Sequence, residues 1–295
     1  MILHKRWGEI LGIGNFMFKY ASLLGLSKRY NTDLYLPKYY MFDYFLNDIS
    51  HDDNIPFDIE IVERFHKYDI EYWDQFANDF KIKNVNISLN SFLQSPKYWE
   101  HNEEYIKKML LFKPDIISNI KEKYKDSLSK KTIGISIRRG DFLNNPGFYQ
   151  LPIEFFLYTL ERYFPNWKDY NIILFCDDHK WILNTIKGNN IYYADGNFIN
   201  EDYNNNPMEI LVYGSLLDNF IISNSTFSWW LAYLAVNCKE KNKGIVIHSG
   251  KNLSGSLENG SDVNDYYYKD WICSDFLSLN GINYNKLSTN ILWKK

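Results

Sequence analysis

Thr132-Ile133-Gly134-Ile135-Ser136-Ile137-Arg138-Arg139-Gly140-Asp141-Phe142 is the stretch whose reading decides the fold. Its first six residues are β-branched or small and carry no charge, the composition of a strand buried on both faces. Two arginines follow at once, at the carboxyl end of that strand. Successive side chains there point to opposite faces, so Arg138 and Arg139 are expected to do different work. One guanidinium fork can grip a phosphate, and the other can pair with a carboxylate such as Asp141 and fix the loop. Alternatively, both sit in ion pairs within the protein. The Arg-Gly-Asp tripeptide also matches a cell-adhesion signal, but a strand-end position does not suit that use.

Toward the C-terminus strands and helices alternate. Pro152 opens a helix to about 164. Residues 171–176, 191–194, 220–223 and 244–248 read as strands, and 178–187, 207–218 and 226–236 as helices. This alternation predicts a parallel sheet covered on both faces, with ligands bound beyond the carboxyl ends of its strands. Toward the N-terminus the charged run 121–131 reads as a solvated helix ending in a linker. Residues 99–112 and 115–128 look helical, 85–89 alternates like a strand, and 39–83 is aromatic and acidic without a clear period. A short strand at 33–36 ends at Pro37. Residues 16–30 form a helix with Phe16, Tyr20, Leu23, Leu24 and Ser27 at helical spacing. Before it lies a glycine-containing turn at 8–15 with no good strand ahead of it. The expected division is an N-terminal domain (1–130), a C-terminal sheet domain (131–270) and a tail (271–295) packing back on the first.

The 295 residues suffice for two medium domains with cores of their own. A formal net charge of -3 argues against general nucleic-acid affinity. Cys176, Cys238 and Cys273 are far apart and have no metal-ligand spacing, which suggests reduced thiols. The aromatic share of 18% provides flat surfaces for sugars and bases, or simply reflects biased gene composition. The N-terminal residues lack a signal-peptide core, and no stretch approaches the ~18 apolar residues of a membrane span. The expected location is the cytoplasm, with at most peripheral association at the inner membrane face. The Asn-x-Ser/Thr triplets at Asn86, Asn224 and Asn252 are then chance matches.

Three further clusters fall at loop positions. Ser223-Asn224-Ser225-Thr226-Phe227-Ser228-Trp229-Trp230 precedes an apolar helix. Its polar run exceeds what one cap needs, and hydroxyls with free backbone N–H groups can receive a phosphate. Asp177-Asp178 follows a strand and can accept from a guanine edge or a ribose, or simply cap the next helix. Its Asp-Asp spacing is not the Asp-x-Asp expected of a metal site, so no metal is predicted. Gly12-Ile13-Gly14-Asn15 permits close backbone approach but is not a dinucleotide-binding fingerprint.

Together these clusters resemble family 11 of the glycosyltransferases, the α-1,2-fucosyltransferases. The family's Gly-Leu-Gly-Asn-Gln-Met-Phe-Gln-Tyr-Ala run is matched from Gly12 to Ala21, and its His-Ile-Arg-Arg-Gly-Asp-Tyr motif from Ser136 to Phe142. Its Asn-Ser-Thr/Ser-Phe/Tyr-Ser-Trp-Trp block stands unchanged from Asn224 to Trp230. Shorter matches occur at 92–98, 175–178 and Asp270-Trp271. The resemblance implies an α/β fold of GT-B type, with two Rossmann-like domains facing a central cleft. It also implies metal-independent, inverting transfer of fucose from GDP-β-L-fucose to the 2-hydroxyl of a galactose-containing glycan, with no cofactor. On that basis Arg138 holds the β-phosphate and Ser225, Thr226 and Ser228 donate to the same phosphates, with Asn224 and Phe227 beside them. Asp177 or Asp178 takes guanine or ribose, Arg139 supports the loop, and Gly14 and Asn15 close over the nucleotide. Asp141, or else Glu154, is the expected general base. Two positions depart from the family: Ser136 replaces histidine and Phe16 replaces glutamine. Two other readings stay open: a transferase using a different nucleotide sugar, or a non-catalytic nucleotide- or carbohydrate-binding protein.

Overall fold

The structure, a computed structural model, describes residues 2–3, 12–52, 56–61, 70–79, 85–89, 92–194, 206–239, 244–255, 258, 264–279 and 292–293. The chain divides into two compact units. The first comprises Met1–Pro114 and Ser261–Tyr268. Its elements are β1 (Ile2–Leu3), α1 (Ile13–Tyr30), β2 (Leu34–Tyr35), β3 (Ile59–Ile61), α2 (Ile70–Asp79), β4 (Ile87–Leu89) and α3 (Glu103–Met109). The strands form a parallel sheet in the order β2-β1-β4-β3. A strand therefore does precede the Gly12 region, contrary to the sequence reading; at two residues it is too short for periodicity to show. Residues 12–15 do not form a turn: Gly12 caps α1, and Gly14 and Asn15 lie in its first turn. The 8–11 part of that expected turn lies outside the described residues, as do 53–55, 62–69 and 80–83 within the unassigned 39–83 stretch.

α1 is buried along most of its length because it runs through an aromatic core. Phe18 meets Trp99 and Tyr266, and Tyr20 stacks on Phe45. The helix stops at Asn31, which adopts a left-handed conformation suited to a C-terminal cap. The expected single helix over 99–112 is broken. Trp99 leaves helical geometry between two short 3-10 turns, and Phe112 bridges to Phe45.

The second unit comprises Asp115–Gly260 and Lys269–Lys295. Its elements begin with α4 (Pro114–Lys123), β5 (Thr132–Ile137), α5 (Ile153–Tyr163), β6 (Asn171–Cys176), α6 (His179–Thr185) and β7 (Ile186–Lys187). They continue with β8 (Ile191–Tyr193), α7 (Pro207–Ser215), β9 (Asn219–Ile222), α8 (Thr226–Ala232), β10 (Val246–His248), β11 (Ile272–Cys273) and β12 (Leu292–Trp293). Six strands form one parallel sheet in the order β11-β10-β9-β5-β6-β8. β5 and β6 are buried at every position, as continuous apolar strands in a covered sheet should be. At Gly134 the ring of Phe220 on β9 fills the space a side chain would need. α5 covers one face, where Phe155, Phe156 and Leu160 join Ile133, Ile135 and Ile137.

The boundary falls at 114/115 rather than 130/131. Residues 115–130 are tied to the second unit, with Tyr124 stacked 3.8 Å from Tyr213 and the Ser127 hydroxyl 2.6 Å from that of Tyr213. The tail also differs from expectation. It stays with the second unit, where β11 extends the sheet and β12 pairs antiparallel with β7. The segment that joins the first unit is 261–268. There Lys97 ion-pairs with Asp265 at 2.6 Å, and the Trp99 indole donates to the Tyr268 hydroxyl at 3.2 Å.

Candidate functional site

β5, β6, β9 and β10 run parallel, so the segments leaving their carboxyl ends gather along one edge of the second sheet. From β5, Arg138 turns to two carboxylates. Its Nε and Nη2 donate to Asp141 Oδ1 at 3.0 and 2.7 Å. Its Nη1 lies 3.0 Å from Asp177 Oδ2. That last contact is a charge pairing without a directed hydrogen bond, since no N–H points at Oδ2. Both N–H groups of Nη1 and one of Nη2 thus have no directed acceptor among the described residues. Arg138 remains 32% exposed and Asp141 60%, whereas the Asp177 side chain is only 2% exposed.

Arg139, like Arg138 just beyond the end of β5, takes a different partner. Its Nε donates to Asp178 Oδ2 at 3.2 Å, and its guanidinium lies 3.8 Å over the Trp181 ring. Its backbone N–H donates to Asp177 Oδ1 at 2.8 Å, tying the ends of β5 and β6 together. Burial raises the carboxyl pKa of Asp177, opposed by Arg138 and by the backbone N–H groups of Arg139 and Gly140. Asp178 caps α6 through the Trp181 N–H at 3.0 Å. The two aspartates, alternatives for a guanine or ribose contact in the sequence, therefore face different ways: Asp177 inward to the β5 loop, Asp178 partly outward.

The polar run before α8 is largely engaged by the protein itself. Ser228 Oγ lies 2.7 Å from Ser136 Oγ, 2.8 Å from Ser223 Oγ and 2.8 Å from Ser225 Oγ. A hydroxyl has one donor and two acceptor sites, so three partners saturate Ser228. It has nothing left to offer a phosphate, contrary to the sequence expectation. Ser136, in place of the family's histidine, is buried in the same cluster. Asn224 is likewise engaged: its amide donates to the carbonyls of Tyr149 and Asn252. The Tyr149 N–H also donates to the Asn252 carbonyl, and Phe148 bridges Leu253. Asn224 therefore clips together the loops that follow β5 and β10. Ser225, Thr226 and Phe227, at the start of α8, remain half-buried and reachable.

Glu154 stands half-buried in the first turn of α5. Gly14 and Asn15 belong to the first unit, where Asn15 Oδ1 accepts from Gln94 Nε2 at 2.7 Å. Phe16 is buried and stacks 4.2 Å from Tyr39. Sequence reasoning missed Trp181, Tyr149, Gln150 and Asn252. Gln150 donates to the Arg138 carbonyl at 3.1 Å. Only Trp181 left a signal, three residues beyond a capping aspartate. No group of three or more His, Cys, Asp or Glu side chains among the described residues is placed to hold a metal, and no described helix is long and apolar enough to cross a membrane.

Comparison with known proteins places this geometry. The O-antigen biosynthesis glycosyltransferase WbnK of Escherichia coli is 30% identical over 170 residues, covering 54% of this chain. The chain spans about half of that relative's length, 55%. POFUT1, solved in complex with GDP, superposes with a TM-score of 0.53 at 12% identity, covering 84% of this chain and 97% of POFUT1. The fucosyltransferase NodZ from Bradyrhizobium gives 0.50 at 12% identity, covering 78% and 90%. At such identities the likeness is one of fold, an α/β architecture of GT-B type. The profile of the family described as Glycosyl transferase family 11 matches residues 10–275, a span that holds every motif discussed above, and the chain belongs to that family.

Proposed function

We propose that the protein is an inverting glycosyltransferase that moves L-fucose from GDP-β-L-fucose to the 2-hydroxyl of a galactose-containing glycan. Family membership supports glycosyl transfer. The donor is supported by the shared fold of POFUT1, which has been crystallised with GDP and with GDP-fucose. The O-antigen role of WbnK supports a surface-glycan acceptor assembled at the cytoplasmic face of a membrane. The observation that carries the reading is the terminal edge of Arg138: a guanidinium held at the end of a parallel strand, with N–H groups on both terminal nitrogens that have no directed acceptor among the described residues.

In this reading the Arg138 tip takes the β-phosphate oxygens and stabilises the charge that develops as GDP leaves. Ser225 and Thr226 donate to the same diphosphate, with Phe227 beside them, and Asp178 accepts from the ribose or the base. The acceptor oxygen attacks the anomeric carbon on the face opposite GDP, forming the new C–O bond as the bond to the phosphate oxygen breaks. Its proton passes to a carboxylate, Asp141 or Glu154. Among the two, Asp141 is already committed to Arg138, which favours Glu154. No metal or cofactor takes part. Calorimetric titration with GDP, using UDP and EDTA as controls, tests the donor: GDP binding that ignores both controls supports it, and absence of GDP binding removes it. NMR of the product formed with GDP-fucose and a galactoside then reads the linkage.

A further inference from the structure

We propose that Asp177 is the positioning residue of the donor site: it holds Arg138 in the attitude that presents the guanidinium tip and does not itself touch the nucleotide. The inference rests on the reading of Arg138 as the phosphate ligand.

Three observations carry it. The Asp177 side chain is 2% exposed, so it has no face to offer a base. Its two oxygens are divided between the neighbouring arginines: Oδ1 accepts the backbone N–H of Arg139 at 2.8 Å, and Oδ2 lies 3.0 Å from Arg138 Nη1. Among the described residues Oδ2 has no hydrogen-bond partner, so the Arg138 guanidinium is the charge that compensates it. A buried carboxylate left uncompensated is strongly unfavourable, and that fixes the guanidinium in place. The other anchor of Arg138 is Asp141, 60% exposed, and an exposed ion pair contributes little restraint. The buried partner therefore sets the angle. An arginine side chain that is already ordered loses less rotamer freedom on gripping a phosphate, a difference worth roughly tenfold in affinity.

The test uses Asp177→Asn in the full chain. The amide oxygen can still receive the Arg139 N–H, while the amide nitrogen can no longer attract Nη1. GDP and inosine diphosphate, which lacks the 2-amino group, serve as paired probes. The expected result is an equal loss of roughly tenfold for both, and little further loss when D177N is added to R138A. A loss confined to GDP would identify a base contact and overturn the proposal, as would unchanged binding of both. A second readout needs neither nucleotide nor the folding of D177N. In the ligand-free wild type and in D141N, the Arg138 Nε–H bond vector, assigned with R138K, should show restricted fast motion by 15N relaxation, because the buried carboxylate still holds the guanidinium. A freely mobile Arg138 tip in D141N overturns the proposal. If the wild type binds no GDP, the donor reading fails on its own and the side-chain relaxation still decides the role of Asp177.

Discussion

The Ser136 hydroxyl lies 2.7 Å from that of Ser228, and both are buried. Position 136 is the last but one of β5 and Ser228 lies in the first turn of α8, so the contact joins the central strand to the helix that follows β9. Ser223 and Ser225 complete the cluster around Ser228. The serine standing where the family has histidine is thus a structural tie. It neither reaches outward nor leaves the position empty.

Ser228→Ala strands three hydroxyls at once, whereas Ser136→Ala leaves Ser228 with two partners. Unsatisfied buried polar groups cost roughly 1–3 kcal/mol each, softened where a neighbour can re-pair. Ser228→Ala should therefore lower unfolding free energy by about 2 kcal/mol and Ser136→Ala by about 1 kcal/mol. The double variant should cost less than the sum, because the two side chains share a network. Urea denaturation of the four proteins measures this. Equal losses for the two single variants would remove Ser228 from the hub.

Asn224 gives a test with a sign. Its amide N–H groups face the carbonyls of Tyr149 and Asn252. Asn224→Ala removes donors and should cost about 2 kcal/mol. Asn224→Asp keeps the shape but aims carboxylate oxygens at two carbonyls in a buried place, so it should be the less stable of the two by at least ~1 kcal/mol. Thermal melts at neutral pH read the order. If the aspartate variant is the more stable, Asn224 does not act as a double donor.

The legibility of these features follows from how local their causes are. β5 and β6 could be read directly, because a strand buried on both faces must be apolar throughout. Strand alternation points to different partners for Arg138 and Arg139; both lie just beyond β5, and both pair with aspartates, Arg138 with Asp141 and Asp177 and Arg139 with Asp178. The partners of those side chains could not be read: Asp177, Trp181, Tyr149 and Asn252 come from other loops, and nothing near position 138 in the sequence names them. α2 went unrecognised because Trp73 and Phe76 make a narrow buried stripe while Tyr72 is exposed beside them, which blurs the helical period. The break at Trp99 has a long-range cause, since its indole bonds Tyr268 from a segment 169 residues away.

Gly25 in α1 marks a close approach in the first unit. A β-carbon there would lie 2.2 Å from the Tyr98 carbonyl oxygen and 2.8 Å from the Trp99 α-carbon, both backbone atoms. Alanine ordinarily favours a helix interior over glycine by about 1 kcal/mol. Here the overlap must be relieved by moving α1 off the 96–99 turn, and overpacking of that kind costs about 1–3 kcal/mol or more. Gly25→Ala should therefore lower the melting temperature despite its better helix propensity. A rise would show that the two segments are not in contact.

His248 ends β10 with its ring buried, and its Nδ1 accepts the Gly250 N–H at 3.0 Å. Burial lowers its pKa from 6.5 to about 4. The native imidazole thus resists a proton that the unfolded chain accepts below pH 6.5, so between those two values the unfolded state binds more protons. Stability must then fall as pH drops from about 6.5 toward about 4, and it is fully retained above that window. A shift of that size corresponds to roughly 3 kcal/mol at the acidic end. His248→Asn offers an acceptor to Gly250 without taking up a proton. It should lose a little stability at pH 7.5 through poorer packing, and should lose less than the wild type between pH 6.5 and 4.5. Chemical denaturation of both proteins across that range decides the matter. Parallel pH profiles would mean that the buried imidazole does not drive the acid sensitivity.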